Sequence, residues 1–101
     1  MIVEFAIVPL DRGESLSEYV SQVIEMVDES GLDYKLTPMG TIVEGEWDEI
    51  MDLIKRCHKH VREVSKRVET RIVIDDRESA KGRIKGKVES VKGKLGKDLN
   101  T

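Results

Sequence analysis

The most restrictive feature of this sequence is a hydrophobic period that switches between about two and about 3.6 residues four times within residues 1–77. Residues 2–9 (IVEFAIVP) set Val3, Phe5 and Ile7 against Glu4, Ala6 and Val8, the pattern of a strand lying between two layers. A polar connection through Gly13 follows. Ser15 with Glu18 then has the spacing of a capping box, and helix one runs on with Leu16, Tyr19, Val20, Val23, Ile24 and Val27 on one stripe, to a left-handed stop at Gly31. Segments 33–37 and 41–45 read as a hairpin joined through Pro38 and Gly40, with an irregularity expected at Thr37-Pro38. Helix two, 46–68, opens with acidic residues and places Trp47, Ile50, Met51, Ile54, Cys57, Val61, Val64 and Val68 along one stripe. Residues 69–76 give a fourth strand, with Ile72 and Ile74 facing opposite to Arg71, Val73 and Asp75.

Strand, helix, strand, strand, helix, strand is the split βαβ order. The fold class is therefore α+β: a ferredoxin-like βαββαβ sandwich with one four-stranded antiparallel sheet, two helices on one face and an extra C-terminal helix. At 101 residues there is room for one domain. Residues 1–77 form its ferredoxin-like body, and residues 78–101 form a basic helix and tail belonging to it. In that tail Ile84, Val88, Val91 and Leu95 keep a helical interval, but Gly82, Gly86, Gly93 and Gly96 would each cost about 1 kcal/mol relative to Ala. Such a helix needs a partner surface.

The 17 basic and 20 acidic residues leave a net charge of −3, which argues against whole-surface attraction to nucleic acid. The charge is uneven: residues 1–77 hold 17 acids and 10 bases, residues 78–101 hold 7 bases and 3 acids. The tail lacks aromatic residues for base stacking, so its lysines read as the solvated face of a docked helix rather than a nucleic-acid site. A single cysteine and the lack of a charged-then-apolar leader point to the cytoplasm. No apolar run approaches the roughly 20 residues of a membrane-spanning helix. Gln22 and Asn100 are the only side-chain amides, and with abundant Glu, Lys and Arg this suggests a thermophilic source.

One sheet face bears Val3, Phe5, Ile7, Val43, Ile72 and Ile74 and should meet the helices. The other bears Glu4, Ala6, Val8, Ile42, Glu44, Arg71, Val73 and Asp75, and is half apolar. A face of that kind seldom stays open on a soluble monomer, so pairing of subunits through the sheet is expected, as a homodimer or homotetramer. Glu4, Arg71 and Asp75, with Arg77 just beyond, would then be interface charges or partners for an anion. The alternative is a solvated face that these charges merely punctuate.

Little in the chain points to catalysis. Cys57, His58 and His60 lack a distant matching cluster, and neighbours on a helix point about 100° apart, so no zinc site is expected. Cys57 falls on the apolar stripe, His58 borders it and His60 should face water. Asp75 and Asp76 are adjacent on a strand and point to opposite sides, which keeps them from converging on one atom. The segment PMGT (38–41) does not match a phosphate loop, although it can offer backbone N–H groups and the Thr41 hydroxyl. No cofactor is expected.

The strings FAIVPL (5–10), SLSEYV (15–20), PMGTIVEG (38–45) and IDDR (74–77), in this order and spacing, resemble the small thiamine-binding, YkoF-like family. The similarity covers about residues 1–95, and Gly40-Thr41-Ile42-Val43-Glu44-Gly45 is its most distinctive piece. The resemblance implies a ferredoxin-like fold assembled into dimers or tetramers, no catalysis, and a pocket for thiamine or its hydroxymethylpyrimidine part where the start of helix one meets the hairpin. It would bring Ser15, Ser17, Met39, Gly40, Thr41 and Glu44 near that ligand. Read from the residues alone, Ser15 equally serves as a helix cap, Thr41 as a strand residue and Glu44 as an interface salt bridge. The function expected is non-enzymatic small-molecule binding in cofactor uptake, salvage or sensing. The alternative is a regulatory homo-oligomer that binds another small anion or metabolite at subunit interfaces, with Arg71 or Arg77 as its charge partner.

Overall fold

β1 (Ile2–Pro9) organises the molecule, because it is hydrogen-bonded to a strand on each side and carries apolar residues on both faces. In the computed structural model, which describes residues 1–11, 17–78 and 81–101, it is followed by α1 (Ser17–Glu29), β2 (Asp33–Thr37), β3 (Gly40–Glu44), α2 (Trp47–Val64), β4 (Val68–Asp75) and α3 (Arg83–Leu95). The strands form one antiparallel sheet in the order β2-β3-β1-β4, the ferredoxin-like arrangement. β1 pairs with β4 along its whole length, Ile2 opposite Asp75 through Pro9 opposite Val68, but with β3 only from Ile2 to Phe5. Its last four residues therefore run on past the hairpin.

Register fixes the faces. Val3 and Phe5 lie opposite Val43 and Thr41 on one side and Ile74 and Ile72 on the other, so all six share the helix-facing surface. Val3, Phe5 and Val43 pack with Val23 and Val27 of α1 and with Ile50, Leu53, Ile54, Cys57 and Val61 of α2 to make the core. Ile72 and Ile74 face the expected way but remain 37% and 38% exposed, because β4 is an edge strand that the helices only partly cover.

Several expectations change in detail. Leu53 is fully buried although it lies off the stripe read from the sequence, whereas Trp47, in the first turn of α2, is 52% exposed. α2 stops at Val64, not at 68. Ser65 turns extended there, its hydroxyl donates to the Asp11 carboxylate, and Asp11 also accepts the Lys66 N–H at 2.8 Å. Val68 thereby joins β4 opposite Pro9. The hairpin carries no irregularity: its ladder runs unbroken from Asp33 opposite Glu44 to Thr37 opposite Gly40. Pro38 sits in the two-residue turn, where its missing N–H removes no ladder bond, and Thr37 closes that turn by donating to Gly40 O and accepting the Met39 N–H. The predicted capping box at Ser15 lies outside the described residues, whereas Gly31 does adopt the left-handed conformation (φ 77°) expected of the stop after α1.

In the tail, two of the four glycines do not weaken the helix as expected. Gly82 and Gly96 are the caps of α3, both left-handed, and only Gly86 and Gly93 lie inside it. No residue of α3 is buried. Its start is nonetheless fixed, because the Glu44 carboxylate accepts the N–H groups of Arg83 (2.9 Å) and Ile84 (3.3 Å), and Lys87 pairs with Asp75.

Candidate functional site

Because β1 outruns β3, a recess opens at the turn end of the hairpin, bounded by α1. It is a cleft of about 180 Å³ floored by Phe5, Ile7 and Thr41, walled by Val20, Val23 and Ile24 of α1, and closed by Leu36 to Gly40 of the hairpin. Its lining is almost wholly apolar, and Val20, Leu36 and Met39 are left 44%, 52% and 83% exposed around it. No charged side chain lines it among the described residues. Ala6 to Pro9 have no strand partner on the hairpin side among those residues, so backbone polar groups of β1 border the recess.

Among the described residues, the polar side chains of the cleft are Thr37 and Thr41. Thr37 is spent on closing the turn. Thr41 is only 5% exposed, faces the helix layer from β3, and its hydroxyl has no hydrogen-bond partner among the described residues. A hydroxyl sealed in an apolar site without a partner costs roughly 1–3 kcal/mol against one that is bonded. No fully enclosed side-chain polar atom lacks a partner among the described residues, so this hydroxyl is not sealed. Among the described residues it is a free hydrogen-bonding group open to a small apolar recess. Gly40 beside it is required by close approach: a Cβ there would lie 2.9 Å from the carbonyl oxygen of Phe5.

The residues expected around a ligand fall into three groups. Met39, Gly40 and Thr41 line this cleft. Ser17 is the exposed first residue of α1 and is not among the cleft lining, and Ser15 lies outside the described residues. Glu44 is elsewhere, three residues along β3 from Thr41, about 10 Å at strand rise, and on the opposite sheet face, where it caps α3. Its surroundings form a separate cleft of about 310 Å³ with Asp33, Tyr34 and Ile84. The sequence reading missed the walls Val20, Ile24 and Leu36. Strand parity does reveal Thr41, since it shares a face with Val43 and Phe5, a polar residue where the pattern demands an apolar one.

The remaining candidates are held by other partners or stand in the open. Arg71 pairs with Glu69 at 2.8 Å, and Lys87 holds the Asp75 carboxyl below its usual range. Glu4 and Arg77 are exposed. The Cys57 thiol is pushed up to about 11, chiefly by burial. His58 Nδ1 lies 2.6 Å from the Thr70 hydroxyl, and His60, expected to face water, is instead half-buried with Nε2 2.8 Å from Gln22 Oε1, tying α2 to α1. Among the described residues no three His, Cys, Asp or Glu side chains converge as a metal site would require, and no helix is long and apolar enough to cross a membrane.

Comparison with known proteins agrees with this architecture. Residues 3–92 match the family described as thiamine-binding protein. A UPF0045 protein of Methanothermobacter thermautotrophicus is 39% identical, with 91% of this chain and 96% of that protein covered. A second, from Methanocaldococcus jannaschii, is 33% identical with 90% and 91% covered, and the crystal structure of a hypothetical protein from that organism superposes with a TM-score of 0.83 over 89% of this chain and 93% of that one. A proposed thiamine biosynthesis/salvage protein of Thermotoga maritima, 30% identical, superposes with a TM-score of 0.79 over 89% of this chain and 96% of that one. A fold built from the same βαββαβ order, matched over nine-tenths of its length by these relatives, places the chain in the thiamine-binding protein family.

Proposed function

We propose that this chain is a non-enzymatic binding protein for thiamine or its hydroxymethylpyrimidine part, held in the cleft between α1 and the turn end of the β2–β3 hairpin, and that it serves cofactor uptake, salvage or sensing in the cytoplasm as a homo-oligomer. The observation that carries the reading is the Thr41 hydroxyl, without a partner among the described residues, in an apolar recess of about 180 Å³. An engineered apolar cavity of about 150 Å³ takes up benzene, so one six-membered ring is the right size of guest. An aminopyrimidine adds a polar edge that one hydroxyl and nearby backbone groups can bond. The rest of a larger molecule would extend past Met39.

Charge sharpens this reading. The thiazolium of thiamine is cationic, yet the one carboxylate expected to meet it, Glu44, caps α3 on the other face. The cleft thus favours the neutral pyrimidine half, and hydroxymethylpyrimidine should bind about as tightly as thiamine. A thermal-shift series with thiamine, its phosphates and hydroxymethylpyrimidine tests this. Ligand at 100 times its dissociation constant adds about 2.7 kcal/mol, several degrees for a domain of this size. No shift with any of the set overturns the proposal, and a shift with thiamine alone overturns the pyrimidine assignment.

A further inference from the structure

Where β1 runs on past the hairpin, the direction of its backbone groups is fixed by three contacts. Gly45 donates its N–H to Met1 O at 3.1 Å on the β3 side, Leu10 donates to Arg67 O at 2.8 Å on the β4 side, and Phe5 O lies where a Cβ on Gly40 would meet it. In an antiparallel sheet, successive residues send both of their peptide groups to alternate sides. The odd-numbered residues of β1 therefore address β3 and the even-numbered ones β4, and the constant register of the β4 ladder carries this parity through to Pro9. Pro9 is odd, so its missing N–H takes no bond from β4. Ile7 is odd as well. It stands opposite Thr70 without a backbone bond to it, and its N–H and C=O point past the end of β3.

The missing rung can be named. Continuing the β1–β3 register beyond Phe5 opposite Thr41 puts Met39 opposite Ile7. The chain has already turned there: Met39 lies in the hairpin turn, and its N–H goes to the Thr37 hydroxyl. Ile7 is left with an adjacent donor and acceptor, unpartnered among the described residues, on the wall of the recess of about 180 Å³. Ala6 and Val8 line the same recess although their side chains face the other side of the sheet, so the hollow reaches the sheet plane in which the two Ile7 groups lie. We propose that these two groups are the recognition edge of the recess, and that its ligands are flat heterocycles with a ring nitrogen beside an exocyclic amino group. The Ile7 N–H donates to the ring nitrogen and the amino group donates to the Ile7 C=O, the ring standing in for the absent strand residue. Thr41 is opposite Phe5, two residues or about 7 Å along the strand, which leaves the far side of a six-membered ring to its hydroxyl. A ring with methyl in place of the amino group keeps its size but leaves the Ile7 C=O without a partner.

The proposal deepens the reading of the recess as a pyrimidine site and rests on it. Amide exchange followed by NMR tests it on the native chain, without any substitution. In the free protein the Ile7 amide should exchange with deuterium as an unbonded amide does, and those of Ala6 and Val8, bonded to β4, about 100-fold more slowly. Saturation with 4-amino-5-hydroxymethyl-2-methylpyrimidine should slow the Ile7 amide by about tenfold or more. In calorimetric titration, the analogue with methyl in place of the 4-amino group should bind about tenfold more weakly. An Ile7 amide already protected in the free protein, or one whose exchange ignores a pyrimidine that measurably binds, overturns the recognition edge and leaves the recess standing as a pyrimidine site. Equal affinity for the amino and methyl compounds does the same. Failure of every pyrimidine to bind overturns that reading and the edge together.

Discussion

Thr41 lies on the buried side of β3 and bonds no other described side chain, which makes it unusually separable from stability. Thr41→Val removes the hydroxyl without breaking a bond to any described residue, so the unfolding midpoint should stay within about 0.5 kcal/mol of the parent while pyrimidine affinity drops about 3- to 10-fold, the worth of one hydrogen bond. Calorimetric titration and thermal melts read the two quantities separately, and an equal loss in both would refute the assignment. Gly40 behaves in the opposite way. Gly40→Ala drives a Cβ to 2.9 Å from the Phe5 carbonyl oxygen, and parting β1 from β3 should lower stability by about 1–3 kcal/mol in urea unfolding. For Cys57, burial raises the thiol to about 11, so at pH 8 it is protonated and enclosed, and a thiol reagent should modify it only at the rate of unfolding.

Among the elements, α3 departs furthest from what its own sequence secures. It takes its N-terminal cap from a strand residue far earlier in the chain: Glu44 accepts two of its first backbone N–H groups. Glu44→Ala should leave those donors unsatisfied, destabilise α3 by about 1 kcal/mol and speed tryptic cleavage at Lys85 and Lys87, with the body of the fold intact. Acid should loosen the same helix. The folded Asp75 carboxyl titrates below its unfolded value of 3.8 because of Lys87. The stabilisation is therefore present above that unfolded value and is lost as pH falls through the lower, folded one. The other elements were legible because local signals agree: alternation in β1, Gly31 after α1, the apolar stripe of α2. Where the reading failed, a distant contact decided. The end of α2 is set by Asp11, which lies just past β1, and the partner of Glu44 is set by α3: parity puts Glu44 on the open face, but no local pattern of β3 announces that it caps a helix there.

For the whole molecule, the period switches sufficed for the βαββαβ order, the sheet composition and which residues face the helices, because each follows from side-chain parity. The cleft was only half legible. Its polar floor at Thr41 follows from parity, but its walls depend on how α1 crosses the sheet, which depends on packing between elements far apart in sequence.

A consequence follows from the unequal lengths of β1 and β3, eight residues against five. The recess between α1 and the hairpin is made by a shortfall of backbone and not by carving into the core, so it can be abolished by addition. Lengthening the hairpin by two residues in each arm would extend the ladder along β1 as far as Val8, plug the hollow with chain and raise stability while ending the proposed ligand uptake. In this architecture, strand count specifies the scaffold and strand length specifies whether it has room for a guest.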